Sequence, residues 1–403
     1  MKLRSLTGTF FDALAEVPSP MRTAVIGTAN AFRKRRMAKL KTPLWLTMYV
    51  TDHCNAKCDH CFYWKELNTR RYQITVADIE KIVKSLKHPL YTVGLTGGEP
   101  FLRKDLADVY EVFDARKATG KIQISSHGGQ VDTIKTFLDG VIKRTRNRTM
   151  VGISVSLDGL KDTHDRIRRW PGLFDKTIET IKYVREMSRK HSFLSVGVCT
   201  SISRQNAAEI PELMDYVSRV LDAPHGLDFV RSTSTDAFGL DPDVVMDYGP
   251  PAEGLAGLNA MDVDRIEEQI RSRRENSFRE RMEVLRMQDA RKIRDTQQRV
   301  FPCVAGMVDG VIYASGDVSF CEFTKPFGNL RPYDFDLFKL WHSPEAEERR
   351  PRIQSCACTH PVNLIRSLSY DTKSLLRLAD PDFIRKSYPG EHGAGQASTG
   401  AAQ

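Results

Sequence analysis

The sequence predicts an α/β protein whose core is a partial barrel of six parallel strands flanked by helices. Short apolar runs rich in β-branched residues alternate with helical patterns from residue 44 to about residue 230. Such alternation is typical of parallel β/α units. The chain, at 403 residues, is also long enough for one large domain and a smaller one.

The six strands are predicted where the apolar runs occur, at residues 44–50, 91–96, 122–126, 151–157, 193–200 and 227–230. Helical periodicity between them predicts helices near residues 76–87, 104–118, 130–144, 175–190 and 206–221. In full parallel barrels, the loops that follow the strand carboxyl ends build the site. We therefore expect the functional residues of a barrel domain at 44–235 in these loops.

Three further segments flank the predicted barrel. Residues 1–43 form a basic extension with two short amphipathic stretches, one around Phe10, Phe11 and Leu14 and one around Val25, Ile26, Ala29 and Phe32. Residues 236–300 read as a charged helical linker, whose charge run from 271 to 294 is expected to be a solvated helix face. A small module is predicted at 301–375, and the Gly- and Ala-rich tail at 389–403 is predicted to be disordered.

Composition narrows the class of protein. No run of eighteen apolar residues occurs, and the N-terminus lacks a secretory signal pattern, so we expect a cytoplasmic protein without a membrane span. The eight cysteines are clustered, which favours reduced thiols that bind metal over a disulfide framework. Cys199 lies outside the clusters in an apolar strand and is predicted to be a buried thiol.

Three cysteines, Cys54, Cys58 and Cys61, follow the first predicted strand directly. Cysteine thiolates hold zinc or iron–sulfur sites, and a closed site of either kind usually has four ligands. Three thiols on one short loop leave one position open. An open position on a four-iron cluster can accept a chelating small molecule, whereas a structural zinc would need a fourth ligand such as His53 or His60.

A second set of cysteines follows the linker, at Cys303, Cys321, Cys356 and Cys358. Two β-rich runs around residues 315–317 predict a hairpin between the first two of them. Four thiols match full ligation of one four-iron cluster, which favours an electron-transfer role. Zinc is the alternative occupant.

The loop after the second strand carries Gly97, Gly98 and Glu99, followed by a proline. Paired glycines permit positive φ and close approach of the backbone to a ligand. By itself this tetrapeptide would be an ordinary turn.

The cysteine spacing of three and then two residues, with the aromatic His60 before the last cysteine, resembles the radical S-adenosylmethionine (radical SAM) superfamily. The resemblance implies a four-iron cluster at Cys54, Cys58 and Cys61 whose open iron is chelated by S-adenosylmethionine, the cosubstrate. It also implies that Gly97, Gly98 and Glu99 engage the ammonium group of the methionine moiety.

The resemblance extends to later strand ends. It suggests that Ser156 and Asp158, after the fourth strand, reach the ribose or carboxylate of the cosubstrate, although Asp158 could equally form a turn with Gly159. Arg231, at the end of the sixth strand, could pair with the methionine carboxylate or form an ordinary salt bridge. His164 is expected to be structural. After the third strand, residues 125–129 replace the Thr-Asn-Gly that relatives often carry.

The C-terminal cysteine set resembles the SPASM and twitch modules of the same superfamily. The full SPASM pattern has more cysteines than the four present here, so a twitch-type module with one auxiliary four-iron cluster fits better. The resemblance implies an enzyme that cleaves S-adenosylmethionine to a 5′-deoxyadenosyl radical, abstracts hydrogen from a C–H bond and oxidises its substrate by two electrons. A one-electron donor such as flavodoxin or ferredoxin is then expected. An iron–sulfur scaffold or carrier-maturation protein is the non-catalytic alternative.

These motifs do not identify the substrate. Three classes remain: a small molecule, a lipid-linked molecule or a peptide. Residues 1–43 are too few for the leader-recognition domain of many peptide-modifying relatives, which lowers the peptide option. Residues 1–41 carry nine Lys or Arg against two acidic residues, hence +7 of the formal net charge of +9. Basic residues beside apolar ones suit peripheral contact with anionic lipid, or they are solvated while the segment packs across the barrel. Nucleic-acid binding is not expected, since no recognition module accompanies the charge.

Overall fold

A nine-stranded sheet lies at the centre of the described part of the protein. The computed structural model describes residues 14, 17–69, 72–231, 237–247, 265–266, 268, 278–380 and 382–383. The predictions for Phe10, Phe11, the tail at 389–403 and most of the loop and helix between 248 and 277 lie outside these residues.

The strands follow the predicted order, and each of the first six begins and ends within about two residues of its predicted bounds. They are β1 Trp45–Thr51, β2 Thr92–Gly97, β3 Lys121–Ser126, β4 Met150–Ser156, β5 Leu194–Ile202 and β6 His225–Phe229, followed by β7 Ala237–Phe238, β8 Asp309–Ile312, β9 Asp317–Ser319, β10 Gly328–Asn329 and β11 Ala357–Cys358. Strands β1 to β6 pair in sequence order, and all of these pairs are parallel. The predicted α/β partial barrel is confirmed.

The five predicted helices lie between the barrel strands, with a further helix after β4 that was not predicted and others outside the barrel. The helices are α1 Ser19–Met37, α2 Val76–Ser85, α3 Leu106–Ala115, α4 Val131–Arg144, α5 Lys161–Arg168, α6 Leu173–Lys190, α7 Ile210–Tyr216, α8 Phe278–Thr296, α9 Leu337–Trp341, α10 Pro344–Arg352, α11 Pro361–Leu368 and α12 Thr372–Leu378. The predicted helix at 206–221 consists of a 3₁₀ turn, α7 and a π-helical turn at Val217–Leu221.

Local signals in the sequence account for where these elements begin and pack. In α2, Thr75 and Asp78 form a capping box that satisfies backbone N–H groups at the helix start. Most apolar side chains of β1 to β5 are buried, including Met48, Val93 and Ile124, whereas Met150 at the start of β4 is exposed. Their burial against the helices supplies the main stabilisation of the barrel.

The predicted C-terminal hairpin is formed by β8 and β9, which are antiparallel. It does not form a sheet of its own, because β8 pairs in parallel with β1 at the edge of the barrel sheet. Trp341 from α9 packs on this hairpin, with its ring 5.1 Å from that of Phe320. The C-terminal module is therefore joined to the barrel beside the strand that precedes the cysteine loop.

The prediction that the charge run of α8 is solvated is wrong for two of its arginines. Arg281 is buried and donates to the carbonyl oxygen of Leu378 at 2.7 Å. Arg286 is also buried, donates to the carbonyl oxygen of Leu227 and forms an ion pair with Asp228 of β6. These contacts place α8 across the end of the barrel sheet and against the C-terminal helices.

Helix α1 packs on the C-terminal helices and not across the barrel as the sequence had also allowed. Ile26 is buried in the apolar cluster formed by α8, α11 and α12. Asn30 donates to the carbonyl oxygen of Tyr370 at 2.9 Å, and Arg33 donates to that of Ser369 at 2.8 Å. In the described part of the chain, no helix is long and apolar enough to cross a membrane.

Candidate active site

The cysteine loop lies at the carboxyl end of β1, where the sequence predicts a site. The backbone N–H of Cys54 donates to the side-chain oxygen of Asn68, and the Asn68 amide donates back to the Cys54 carbonyl oxygen, at 3.1 and 3.0 Å. The backbone N–H of Cys61 donates to the carbonyl oxygen of Cys58 at 3.2 Å. These bonds hold the three thiols on one compact turn, and each cysteine is half-buried.

The three thiols line a cavity of about 220 Å³ at the carboxyl end of the barrel strands. Its wall comes from β1 to β6 and the loops after them, with one residue from the C-terminal module. Besides the three cysteines it includes Tyr49, His60, Phe62, Tyr63, Gly97, Gly98, Glu99, Ser125, Ser126, His127, Ser156, Arg168, Cys199, Ser201, Asp228, Arg231 and Glu322. Of the six residues predicted to bind the cosubstrate, only Asp158 is absent from this wall.

A buried cation lies beside the cysteine loop. The guanidinium of Arg168, at the end of α5, points one N–H at the sulfur of Cys58 at 3.5 Å. Burial raises the pKa of Cys54 to about 11 and that of Cys61 to about 12. Since metal binding requires thiolates, positive charge at this loop favours the form of the thiols that binds a cluster.

Asp158 holds this cation in place. Its carboxylate accepts from the Nε of Arg168 at 2.6 Å and forms an ion pair with the Nη2 at 2.6 Å, while its other oxygen accepts from the backbone N–H of Ser201 at 2.9 Å. Asp158 is fully buried. Burial would raise the pKa of the Asp158 carboxyl, but the adjacent Arg168 lowers it overall. The carboxylate is thus engaged below the cavity wall, and the turn expected at Asp158 and Gly159 leads into α5.

Two histidines complete the network around Asp158. His60 lies 3.7 Å from the Asp158 carboxylate, and burial lowers the pKa of His60 to about 4. The Nδ1 of His164 accepts from the backbone N–H of Asp158 at 3.1 Å, and burial lowers the pKa of His164 to about 4 as well. Both imidazoles are therefore neutral near pH 7, which agrees with a structural role for His164.

The two glycines after β2 are required by the cysteine loop itself. A Cβ at Gly97, whose φ is +132°, would lie 2.1 Å from the carbonyl oxygen of Thr51. A Cβ at Gly98 would lie 2.1 Å from that of His53. The backbone N–H groups of Gly98 and Glu99 donate to these same two oxygens. The glycines thus bring the loop after β2 against the backbone that carries the thiols.

Glu99 is fixed on the cavity wall by backbone donors. Its carboxylate accepts from the backbone N–H of Phe101 at 3.1 Å and from that of His127 at 2.9 Å. The His127 ring lies between this carboxylate and Asn55 of the cysteine loop, whose side-chain oxygen is 2.9 Å from the Nε2. The sequence that replaces Thr-Asn-Gly after β3 therefore connects Glu99 to the cysteine loop.

Cys199 was predicted to be a buried thiol, but it is half-buried and lies on the cavity wall. Its side chain lines the cavity together with Ser201 and Ser156, and its sulfur lies 3.8 Å from the carboxylate of Asp228. Strand alternation places residue 199 on the same face as Ser201, opposite Val196 and Val198. This alternation was the available signal for its position.

Arg231 joins the barrel to the C-terminal module. Its guanidinium forms an ion pair with Glu322 at 3.0 Å, lies 3.0 Å from the Nε2 of His360 and stacks 4.5 Å from the ring centre of Phe62. The other oxygen of Glu322 accepts from the hydroxyl of Tyr49 at 2.6 Å. Burial would raise the pKa of Glu322, but Arg231 and His360 hold it well below its usual range.

Glu322 and Tyr49 were not predicted from the sequence to belong to the site. The two residues are separated by 273 positions, and neither belongs to a motif by itself. The only local signal is that Glu322 directly follows Cys321. Through Glu322 the cavity wall reaches the second cysteine set.

The C-terminal cysteines come from three segments. Cys303 follows α8, Cys321 follows β9, and Cys356 and Cys358 flank Ala357 at β11. Cys303, Cys321 and Cys358 are near enough for each thiol to be influenced by another. Burial raises the pKa of Cys303 to about 12 and that of Cys321 well above its usual value.

Neutral hydrogen-bond donors point at this second set. The side-chain amide of Asn363 donates to the sulfur of Cys321 at 2.7 Å, as does the backbone N–H of Phe323 at 3.4 Å. The backbone N–H of Ala305 donates to the sulfur of Cys303 at 3.5 Å. Donors of this kind stabilise thiolates that ligate a cluster.

The thiols of both sets fit the donor chemistry of iron–sulfur clusters. None of the eight cysteines forms a disulfide. Within the described ranges, no three His, Cys, Asp or Glu side chains converge on a point where they could hold a single metal ion. A four-iron cluster has a different geometry, because each thiolate ligates its own iron atom at the edge of the cluster. The sulfur atoms therefore do not need to converge on one point.

Residues 48–217, from β1 to the end of α7, match the family model of the Radical SAM superfamily. These residues therefore form a radical SAM domain. Members of the radical SAM superfamily are enzymes, and the family carries a four-iron cluster and S-adenosylmethionine. The predicted family and fold, and the prediction of an enzyme, are therefore confirmed.

Two curated radical SAM relatives show how far the similarity extends. Fe-coproporphyrin III synthase of Methanosarcina barkeri is 28% identical over 187 residues, which cover 45% of this chain and 42% of that protein. The sporulation killing factor maturation protein SkfB of Bacillus subtilis is 22% identical over 329 residues, which cover 80% of this chain and 70% of that protein. The chain thus spans less than half of the first relative and most of the second.

The fold of a solved radical SAM enzyme is also similar. The crystal structure of Streptococcus suis SuiB bound to its precursor peptide SuiA superposes with a TM-score of 0.53 at 15% identity. The match covers 87% of this chain and 76% of SuiB. It extends well beyond the barrel, so the similarity in fold includes much of the C-terminal part.

Proposed function

We propose that this radical SAM enzyme oxidises its substrate by two electrons and that the second cysteine set holds an auxiliary four-iron cluster. The substrate would lose one hydrogen atom to the 5′-deoxyadenosyl radical, then a proton, and a second electron that the auxiliary cluster would accept. One observation carries the proposal. The same cavity is lined by the thiols of Cys54, Cys58 and Cys61 at one side and by Glu322, the neighbour of Cys321, at the other. A substrate bound there would lie between the two cysteine sets.

The first cluster, when bound and reduced, would supply the electron that cleaves S-adenosylmethionine to methionine and a 5′-deoxyadenosyl radical. In this proposal Cys54, Cys58 and Cys61 are its ligands. Gly97 and Gly98 hold the loop after β2 against the cysteine loop. The buried carboxylate of Glu99, fixed by two backbone donors, is available to bind the methionine ammonium.

The remaining predicted residues receive different roles in the proposal. Ser156 lies on the wall and can donate to the ribose or carboxylate of the cosubstrate. Asp158 acts through Arg168, because its oxygens are already engaged by that guanidinium and by Ser201. Arg231 is paired with Glu322, so we assign it to the junction of barrel and module and not to the methionine carboxylate.

We propose a peptide as the substrate class. Two relatives matched over most of this chain support it: SkfB is named as a maturation protein, and SuiB was crystallised with a precursor peptide. A small molecule is the second candidate, supported by the shorter match to Fe-coproporphyrin III synthase. The electron donor in this proposal is a flavodoxin or ferredoxin.

The test is anaerobic reconstitution with iron and sulfide, followed by reduction in the presence of S-adenosylmethionine. We expect 5′-deoxyadenosine, and a larger yield when a peptide encoded beside the gene is added. The modified peptide should be lighter by two hydrogen atoms in mass spectrometry. Absence of 5′-deoxyadenosine from a fully clustered protein would overturn the proposed cleavage, and an unchanged peptide mass would overturn the substrate class.

A further inference from the structure

Helix α1 exposes a face that the barrel and its site do not use. Its inner stripe, Arg22, Ile26, Asn30 and Arg33, packs on the C-terminal helices through one buried apolar contact and four side-chain hydrogen bonds. These positions recur every three or four residues and therefore share one side of the helix. The helix is consequently fixed to the protein, and its orientation determines which residues face solvent.

Large apolar side chains occupy the adjacent face. Met21 is 61% exposed, Val25 is 42% exposed and Phe32 is 63% exposed. Their spacing of four and seven residues places them in one line along the helix. Exposed apolar residues scattered singly need no explanation, but a line of them on one helix face marks a contact surface.

Cations surround the end of this line. Arg35 and Arg36, one turn beyond Phe32, are exposed on either side of it. Residues 17–41 contain seven Lys or Arg and no Asp or Glu. The face is therefore apolar along its centre and uniformly positive at its carboxyl end.

We infer that this face of α1, defined by Met21, Val25, Phe32, Arg35 and Arg36, docks the enzyme on an anionic membrane surface. A helix that lies in the membrane interface presents apolar side chains to the acyl boundary and cations to the lipid headgroups. An acidic protein would complement the charge but offers no reason for a convex line of exposed apolar residues. Because residues 17–41 carry no acidic group, nothing on the face selects a partner of mixed charge.

The docking surface is independent of the proposed reaction. It involves none of the residues that line the cavity, and its test does not measure catalysis. Deoxyadenosine formation in solution serves only as evidence that each variant is folded and loaded with its cluster.

The experiment is co-sedimentation of the full-length, cluster-loaded protein with vesicles of phosphatidylcholine alone or with added phosphatidylglycerol. We expect binding to the anionic vesicles and little binding to the neutral ones, with weaker binding at high salt. The double variant Arg35→Gln/Arg36→Gln should bind about thirtyfold more weakly, since each cation near the surface contributes about fivefold. Met21→Ser/Phe32→Ser should lose about tenfold through reduced apolar burial.

Matched controls lie elsewhere on the surface. Val220 is 55% exposed, and Lys104 and Lys117 are exposed on the barrel, so Val220→Ser and Lys104→Gln/Lys117→Gln should bind as the wild type does. The inference is overturned if the wild type stays in the supernatant with anionic vesicles, or if the α1 variants bind as well as these controls. It is also overturned if the arginine pair is needed only for binding polyglutamate or DNA, which would indicate an acidic macromolecule.

Discussion

The two cysteine sets of this protein differ in how they are built. Cys54, Cys58 and Cys61 lie on one loop, are half-buried and open on a cavity with a buried arginine beside them. The C-terminal cysteines come from three segments, three of the four are buried, and the donors to their sulfurs include an amide side chain, a hydroxyl group and backbone N–H groups. The first set suits a cluster that exchanges a ligand, and the second suits one that is enclosed by protein.

The difference in charge also matters for electron flow. A cation held near a cluster favours its reduced state, because the reduced cluster is more negative. Neutral donors have a smaller effect of the same sign. Arg168 therefore favours reduction of the cluster that must deliver an electron to the cosubstrate, and this contrast can be tested at each set.

Removing one cysteine from each set should give the largest difference in reaction products between the two sets. Cys58→Ala should abolish 5′-deoxyadenosine formation, because the cluster at the cavity cannot be held by two thiols. Cys321→Ala should retain substantial cleavage of S-adenosylmethionine while losing the oxidised product. Quantifying deoxyadenosine and product in the same reactions checks both. Equal loss of deoxyadenosine in the two variants would show that the sets are not separate in function.

Substituting a glycine that contacts the loop of the first cysteine set should impair the cluster site almost as strongly. Gly98→Ala places a Cβ 2.1 Å from the His53 carbonyl oxygen, so the cysteine loop must shift, at a cost of about 3 kcal/mol in the free energy of unfolding. Urea unfolding and iron content measure the two consequences. The matched control is Gly27→Ala in α1, where nothing lies within 4 Å of the added Cβ, and which should be neutral or slightly stabilising. A normal iron content in Gly98→Ala would contradict the account of this contact.

The junction between the two sets should respond to pH. Glu322→Gln leaves Arg231 without its anionic partner and should lower the free energy of unfolding at pH 7 by about 2 kcal/mol. The pKa of Glu322 is depressed in the folded state, so its contribution is present above the unfolded pKa of about 4.3 and is lost as the pH falls through the folded value. Urea unfolding from pH 7 down to pH 3 should show the difference in stability between wild type and variant beginning to narrow below about pH 4.

Arg168 is a charged donor beside the first cysteine set, whereas Asn363 is a neutral donor beside the second. Substituting either residue should change the midpoint potential of the adjacent cluster, which is a smaller effect than those above. Arg168→Gln should make the midpoint potential of the cavity cluster more negative and slow deoxyadenosine formation about tenfold, since one unit of charge is lost beside Cys58. Asn363→Leu should shift the auxiliary cluster in the same direction by less. Redox titration followed by EPR spectroscopy separates the two. Arg168→Lys, which keeps the charge, should recover part of the potential, and a failure to do so would assign Arg168 a purely structural role.

The position of the site could be predicted from the sequence, but most contacts between its residues could not. The strands and the cysteine loop follow from periodicity and spacing, which are local properties, and the role of residues 97–99 follows from the resemblance to a known family. Arg168 was overlooked although it lies close to the predicted Asp158, because a sequence does not show which of two charged residues faces the thiols. The pair of Tyr49 and Glu322 depends on β8 joining the barrel sheet beside β1, a long-range pairing that no local pattern encodes.

The most direct test removes all three cysteines of the first set and measures the iron content and EPR spectrum of the resulting variant. In the variant with Cys54, Cys58 and Cys61 all replaced by alanine, we predict about four irons per chain in place of about eight. EPR spectra of the reduced variant should show one cluster whose signal does not change when S-adenosylmethionine is added, whereas the wild-type signal should change. A variant without iron, or one whose remaining signal still responds to S-adenosylmethionine, would contradict the assignment of one open and one enclosed cluster site.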